Sequence, residues 1–318
     1  MKKKLKVSLI AAIAFIVIAI PAYLIVSGNM AATSIVGVDA EETKKNSADF
    51  LKEVGFDEDA FVSKWKSSSE QIRCGTVNEN NVYMNYICNE KHNYSNTTII
   101  LIPPYGYDYS VMSPIADVML EKGYNVVMYD QRAHGENNAD SFTFGSLESD
   151  DLETVINNIQ DNSIVKVDIG IIAQGTGAST AAYYMGNPDA SRYVDFAILE
   201  NPYSNAEDKF NVLLNDRKSI IPSSLYRWIT QKTIDFRFDF DISSVDIADR
   251  ISDTDIPVLV MNQSNCSKYP VSSGVNLYDS IKGDNKKIVT FDESEYLKSF
   301  YSQNQKYIQT ITDFISGY

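Results

Sequence analysis

Histidine and cysteine are scarce in this chain. The 318 residues hold two histidines, His92 and His134, and three cysteines, Cys74, Cys88 and Cys266. No pair of cysteines forms a CxxC, and so few ligands in this arrangement exclude the usual zinc patterns. A dense disulfide framework is excluded too. Cys74 and Cys88 fall on neighbouring expected strands, and their spacing leaves a single bridge and two reduced thiols equally open. Positive charge is also in deficit, with 28 Lys and Arg against 42 Asp and Glu and a net charge of −14. Four of the lysines sit within the first six residues, so the remaining chain is more acidic still. That balance argues against nucleic acid as a partner and against direct docking on an anionic lipid surface. The acidic clusters Asp57, Glu58, Asp59 and Asp235, Asp239, Asp241 lack the spaced ligands and glycine of a calcium loop, so no metal is expected.

What the sequence does have, at its start, is one long apolar run. Lys2, Lys3, Lys4 and Lys6 precede a stretch from Val7 to Val26 without a charge. About twenty apolar residues let a helix cross a bilayer. The lysines should stay cytoplasmic, which puts the rest of the chain outside. A cleaved signal is the alternative, since Gly28, Ala31 and Ala32 supply small residues for processing and would make the protein secreted. Residues 1–29 are therefore read as lysines plus anchor, 30–67 as a linker and helix, and 68–318 as one domain. No internal repeat is visible.

The domain alternates strand and helix patterns. "TTIILIPP", "NVVMYD", "KVDIGIIAQ", "VDFAILENP", "IPVLVMNQS" and "KKIVTFD" read as strands, with helical segments between most of them. Such alternation implies a mostly parallel sheet with helices on both faces, an α/β class. A hairpin over "EQIRCGTVNENNVYMNYICNE" precedes it. "SADFLKEVGFDEDAFVSKW" reads as helical, with Phe50, Leu51, Val54, Phe61 and Trp65 on its apolar face. Residues 204–250 interrupt the alternation with mostly helical sequence, a small cap-like insertion. Within it "IDFRFDFDI" alternates strictly and predicts an extended segment with one buried face.

The stretch "GIIAQGTGAST" joins an apolar strand to a helix through glycines. One large enzyme class places a nucleophilic serine there, in the pattern G-x-S-x-G. Here the pattern reads Ala173-Gln174-Gly175-Thr176-Gly177, so the turn is kept and the serine is absent. Upstream, "EKGYNVVMYDQRAHGEN" carries Gly123, Tyr124, Asp130, Arg132, His134 and Gly135, and "GSLESDDL" carries Gly145, Glu148, Asp151 and Leu152. With "IPVLV" and the closing helix, residues 70–318 resemble the α/β-hydrolase superfamily, closest to bacterial membrane-anchored proteins of the serine aminopeptidase-like group.

The resemblance implies the α/β-hydrolase fold with a helical cap, and three catalytic positions in chain order. The nucleophile position is Gly175. The acid loop runs Asn262 to Pro270 and puts Cys266 in the aspartate's place. The pattern before the last helix puts Tyr296 in the histidine's place. Pro103-Pro104-Tyr105 stands where the family shapes its oxyanion pocket. Triad chemistry needs a hydroxyl, a base near neutral pKa and an orienting carboxylate. Glycine has no nucleophile, a tyrosine of pKa near 10 is no ready base, and a thiol is a poor orienting acid. No catalytic residue is therefore expected. Asp130, Arg132, His134 and Gly135 are read as a structural motif, and His92 as a loop residue. Thr176 is expected to point into the packed helix, and Cys266 lacks a histidine that would activate it.

A pocket lined by Tyr105, Gln174, Gly175, Thr176, Cys266 and Tyr296 is expected to survive without turnover. The functional expectation is a membrane-tethered, extracytoplasmic pseudo-hydrolase that binds a small ligand or a protein partner, with no cofactor. An active esterase, lipase or peptidase using unorthodox residues, and a structural cell-surface protein, are the alternatives.

Overall fold

The strand stretches "IILI", "VVM", "IGIIA" and "FAIL" are apolar without alternation, which requires cover on both faces of the sheet. The computed structural model supplies it; it describes residues 2–89, 96–162, 167–266, 268–292 and 294–318, with side chains from Phe15 onward. The chain order begins with α1 (Lys2–Val36), α2 (Ala40–Glu53), α3 (Glu58–Trp65), β1 (Ser69–Val77) and β2 (Asn80–Ile87). Then come β3 (Thr97–Ile102), α4 (Ser113–Glu121), β4 (Asn125–Met128), α5 (Ser146–Asp161), β5 (Asp168–Gln174), α6 (Thr176–Met185) and β6 (Phe196–Glu200). The insertion holds α7 (Ala206–Asn215), α8 (Ser223–Phe238) and α9 (Ile247–Ile251). The chain closes with β7 (Val258–Gln263), α10 (Val271–Ser280), β8 (Lys286–Phe291), α11 (Ser299–Ser302) and α12 (Asn304–Ile315).

The eight strands form one sheet in the order β1-β2-β4-β3-β5-β6-β7-β8. The β1–β2 and β2–β4 pairings are antiparallel, and every later pairing is parallel. One face packs Leu152, Val155, Ala178, Ala182 and Leu277 from α5, α6 and α10. The other packs Phe61 and Trp65 of α3, Met119 of α4, and Tyr307, Ile311 and Phe314 of α12. Strand carboxyl ends, where this architecture puts its ligand sites, meet the insertion and the loop after β7.

Three expectations need correction. Residues 30–36 are helix rather than linker: α1 runs on to Val36, with Ala31, Ala32, Ile35 and Val36 buried in the core. The second concerns 47–65, where Gly55, at φ +72°, breaks the helical stretch into α2 and α3. The third is "IDFRFDFDI", whose first five residues finish α8 before a left-handed turn at Asp239. Ile234 is buried and Phe238 partly buried, four residues apart on one helix face, while Phe236 faces outward. Alternation over so few residues fits both periods, and the helix begun at Ser223 decides between them.

The thiols are also resolved by register. Cys74 lies at the irregularity between Arg73 and Gly75 of β1, whereas Cys88 donates its amide to Ser68 at the other end of the hairpin. Six residues of strand separate those levels, about 20 Å, far too long for a disulfide. Cys74, Cys88 and Cys266 are all free.

Candidate functional site

The β5–α6 turn is the centre of the site. Gly175 adopts φ +56° and ψ −118°, a backbone state that disfavours any side chain, between the last strand residue and the first helical one. Its amide donates to the Glu200 carbonyl (2.8 Å). Gly177 permits close approach of α6 to β3, since a Cβ there would lie 2.6 Å from the Ile102 and Pro103 carbonyl oxygens. The turn thus has the geometry of a nucleophile elbow without a nucleophile.

The space above Gly175 is filled. A Cβ on Gly175 would lie 2.8 Å from the Tyr269 ring and hydroxyl and 3.0 Å from Pro104. Tyr269 is buried in the loop after β7, and its hydroxyl sits beside Thr176 and Tyr296 without the geometry of a hydrogen bond to either. In this fold the amide following the nucleophile helps bind the reaction's oxyanion. Here the phenol of Tyr269 crowds that amide. Pro103 and Pro104 have no amide hydrogen to offer from the other side.

The remaining catalytic positions close around the same ring. Tyr296 stacks on Tyr269, centroids 5.1 Å apart and planes at 28°. Its hydroxyl is buried with no hydrogen-bond partner among the described residues, and burial holds its pKa well above the usual phenol value. Cys266 is buried close enough to interact electrostatically with both tyrosines. Burial pushes its thiol pKa up, opposed by the amides of Tyr269 and Lys268 and by the Lys209 amine. So Gly175, Cys266 and Tyr296 lie together, with Tyr269 between them.

The other expected residues go elsewhere. Tyr105 donates to the Ile35 carbonyl (3.0 Å) and packs edge-on against His134. Gln174 turns under the sheet and donates to Glu200 (2.8 Å). Thr176 is buried and accepts from Gln131 (3.2 Å), inside the packed helix start. None of the six expected pocket residues lines the cavity that does exist nearby, a space of about 260 Å³ walled by Tyr203, Lys209, Lys268, Tyr269, Pro270 and Ser272, among others.

The side chains of the upstream motif are bound up within the fold. His134 is fully buried; Nδ1 donates to the Arg132 carbonyl (2.7 Å) and Nε2 accepts the Gly106 amide (3.0 Å). Both ring nitrogens are therefore committed, and burial lowers the imidazole pKa to about 4. Asp130 accepts the Tyr109 (2.7 Å) and Glu136 (2.8 Å) amides, and a Cβ on Gly135 would lie 2.2 Å from its carboxylate. Arg132 pairs with buried Asp151 at 3.1 Å. His92 lies outside the described residues.

Several residues escaped sequence reasoning. Lys209 of α7 is 4% exposed, with Nζ 3.9 Å from the Tyr269 ring centroid and 5.8 Å from that of Tyr105. Burial, then neighbouring Lys268, lowers its pKa to about 7. Beneath the elbow, buried Glu200 accepts from Gln174 (2.8 Å), Gln263 (2.6 Å), Ser299 (3.1 Å) and Tyr307 (2.7 Å), linking three strand ends to α11 and α12. Burial raises the Glu200 pKa, and its four donors oppose that shift. No sequence signal marked either group, because their partners lie far away along the chain. Among the described residues no cluster of His, Cys, Asp and Glu could hold a metal ion.

Sheet order, elbow and helical insertion together define the α/β-hydrolase fold. Residues 95–238 match the family described as serine aminopeptidase, S33. "Uncharacterized protein YqkD" of Bacillus subtilis (strain 168) is 26% identical over 231 residues, 71% of this chain and 73% of that protein. The Pyrococcus furiosus esterase Pf2001 superimposes with a TM-score of 0.64 at 18% identity, covering 84% of this chain and 95% of the esterase. The putative non-heme bromoperoxidase BpoC of Mycobacterium tuberculosis H37Rv gives 0.55 at 16% identity, covering 74% and 96%.

Proposed function

We propose that this chain is a membrane-tethered, extracytoplasmic binding protein built on a hydrolase fold, without hydrolytic turnover. The observation that carries the reading is the filled elbow: Gly175 offers no nucleophile, and Tyr269 occupies the space one would need. Neither partner position supplies a base or an orienting carboxylate, and His134, the one described histidine, is locked on both nitrogens. One fold hosts many activities, so similarity to an esterase does not restore the missing groups.

The tether reading rests on how α1 divides. Described side chains from Phe15 to Val26 are mostly exposed, whereas Ala31, Ala32, Ile35 and Val36 are core residues. Twenty uncharged residues from Val7 to Val26 give about 30 Å of helix, one hydrocarbon thickness. At the exit from the domain, α8 lies alongside α1 and presents Trp228, 58% exposed, and Phe236, 94% exposed, next to Ile25 and Val26. An aromatic face beside a spanning helix suits the membrane–water interface.

Hydrolysis by unorthodox residues is the second reading, and the observation favouring it is the amine of Lys209 beside the Cys266 thiol. A fluorophosphonate probe and a thiol-directed probe, applied with activated esters to the purified chain, separate the two. No labelling at the elbow and background ester cleavage are expected. Stoichiometric labelling with turnover, abolished by Cys266→Ala, would overturn the non-catalytic reading.

A further inference from the structure

Lys209 places an amine where there is no counterion. It is 4% exposed, sits over two aromatic rings, and has no salt bridge or hydrogen bond among the described residues. The acids nearest to it are engaged otherwise: Asp216 pairs with Lys268 at 2.6 Å, and exposed Asp208 accepts from Asn205 at 2.9 Å. Buried charge is costly unless something compensates it. Lys209 lines the 260 Å³ cavity, and so do Lys268 and Tyr203, whose buried hydroxyl also lacks a partner. The same cavity receives the first turn of α10, including Ser272 and Ser273, whose N-cap Pro270 provides no side-chain cap. A helix N-terminus favours negative charge. Exposed Asp208 and Asn276 complete the polar part of the wall, and Val212, Pro270 and the face of Tyr269 are apolar.

We propose that the cavity walled by Lys209, Lys268, Tyr203 and the first turn of α10 binds the carboxylate of a small organic acid, with its apolar body against Tyr269 and Val212. This deepens the binding reading, on which it rests, by naming the ligand class. The carboxylate accepts from the Lys209 ammonium. Its hydrocarbon part displaces water from the aromatic wall. Phosphate would gain the same charge but lose the apolar contact.

The site carries a pH signature. Free Lys209 titrates at about 7. An anion beside it favours the protonated amine, so one proton is taken up from solvent on binding above that pH. Affinity is then constant below pH 7 and falls by up to about tenfold per unit above it, until the pKa of the complex is reached. The groups facing Lys209 are Lys268, Asp216, Asp208, Cys266, Tyr105, Tyr203 and Tyr269. Burial pushes the Cys266, Tyr105, Tyr203 and Tyr269 pKa values upward, so none of these four mimics the slope.

The test uses the full chain in lipid nanodiscs, with hexanoate, benzoate, benzamide and inorganic phosphate as probes between pH 6 and 9. Thermal shift and calorimetry should show that a carboxylate binds, that benzamide and phosphate bind at least about tenfold more weakly, and that affinity declines above pH 7. Lys209→Met should abolish the slope and weaken carboxylate binding by about tenfold or more, and Lys268→Gln should weaken it severalfold. The slope is read on the unaltered chain, so it stands even where a variant folds poorly. Absence of binding by both carboxylates, equal binding of benzamide, tighter binding of phosphate, or affinity flat with pH would each overturn the proposal. Probe labelling on the same preparation is a separate readout: a labelled elbow refutes the non-catalytic reading, whereas an unlabelled elbow with no carboxylate binding refutes only this ligand class.

Discussion

At residue scale, the side chains around Gly175 decide what substitution can achieve. A serine at 175 must tolerate φ +56° and displace Tyr269 or Pro104 from within 3.0 Å. Gly175→Ser should cost about 1–3 kcal/mol in denaturant unfolding. Tyr269→Ala should recover part of that loss when combined with it, because the two side chains compete for one volume and their effects do not add. Neither variant should cleave activated esters above background. A triad acts as a unit, and the base is still missing. Turnover in Gly175→Ser alone would reveal an unrecognised base. Lys209 gives a second prediction. Its folded pKa of about 7 lies below the ordinary lysine value, so the unfolded chain binds more protons between those limits, and stability rises with pH from 7 toward 10. Lys209→Met should flatten that rise and stabilise the ligand-free chain at pH 7 by about 1–3 kcal/mol. Urea midpoints for both proteins at pH 7 and 9 measure it, and an equal rise in both would sink the assignment.

At the scale of elements, the join between α1 and α8 holds the N-terminal helix to the domain. Gly28 brings the helices close enough that a Cβ would lie 2.2 Å from Ile229 Cγ2. Arg237 donates to Asn29 (2.6 Å) and Thr33 (2.7 Å), and Arg217 donates to the Ser34 carbonyl (2.8 Å). Gly28→Val should therefore loosen the contact, lowering the midpoint by about 1–3 kcal/mol equivalent and exposing the 28–36 segment to protease. Unchanged resistance would mean that the two helices part easily. The same packing explains two misread stretches. Residues 30–36 look like linker because their partners lie far along the chain, from Tyr105 on Ile35, 70 positions away, to Arg237 on Thr33, 204 positions away. Residues 234–242 look extended because apolar residues at 234, 236, 238 and 240 satisfy a period of two, while the helix uses only 234 and 238 for its buried side.

For the whole molecule, the division of α1 into an exposed half and a buried half predicts an uncleaved anchor. Removal of the chain before Ala31 or Ala32 would cut the helix where it enters the core. Membrane fractionation with an N-terminal tag should keep tag and domain together, and added protease should digest the domain on spheroplasts while the tag stays protected. Release of a tagless soluble domain would show processing instead. Trp228→Ala with Phe236→Ala should leave the fold intact and weaken retention of a truncated, anchorless chain on vesicles, if the aromatic face meets lipid as proposed.

The sequence by itself determined the architecture. Apolar strand runs and glycine-bearing turns are local properties and suffice for that, whereas the addresses Gly175, Cys266 and Tyr296 came from the resemblance to the α/β-hydrolases. The motif Asp130, Arg132, His134 and Gly135 was legible in the same way. Tertiary structure alone decided what fills the space among them. Tyr269 over the elbow, Lys209 against Tyr269, the four donors on Glu200 and the burial of α1 beyond Gly28 all join residues distant in sequence. Short-range periodicity carries no term for such contacts, since it records which face of an element is apolar but not which other element will cover it.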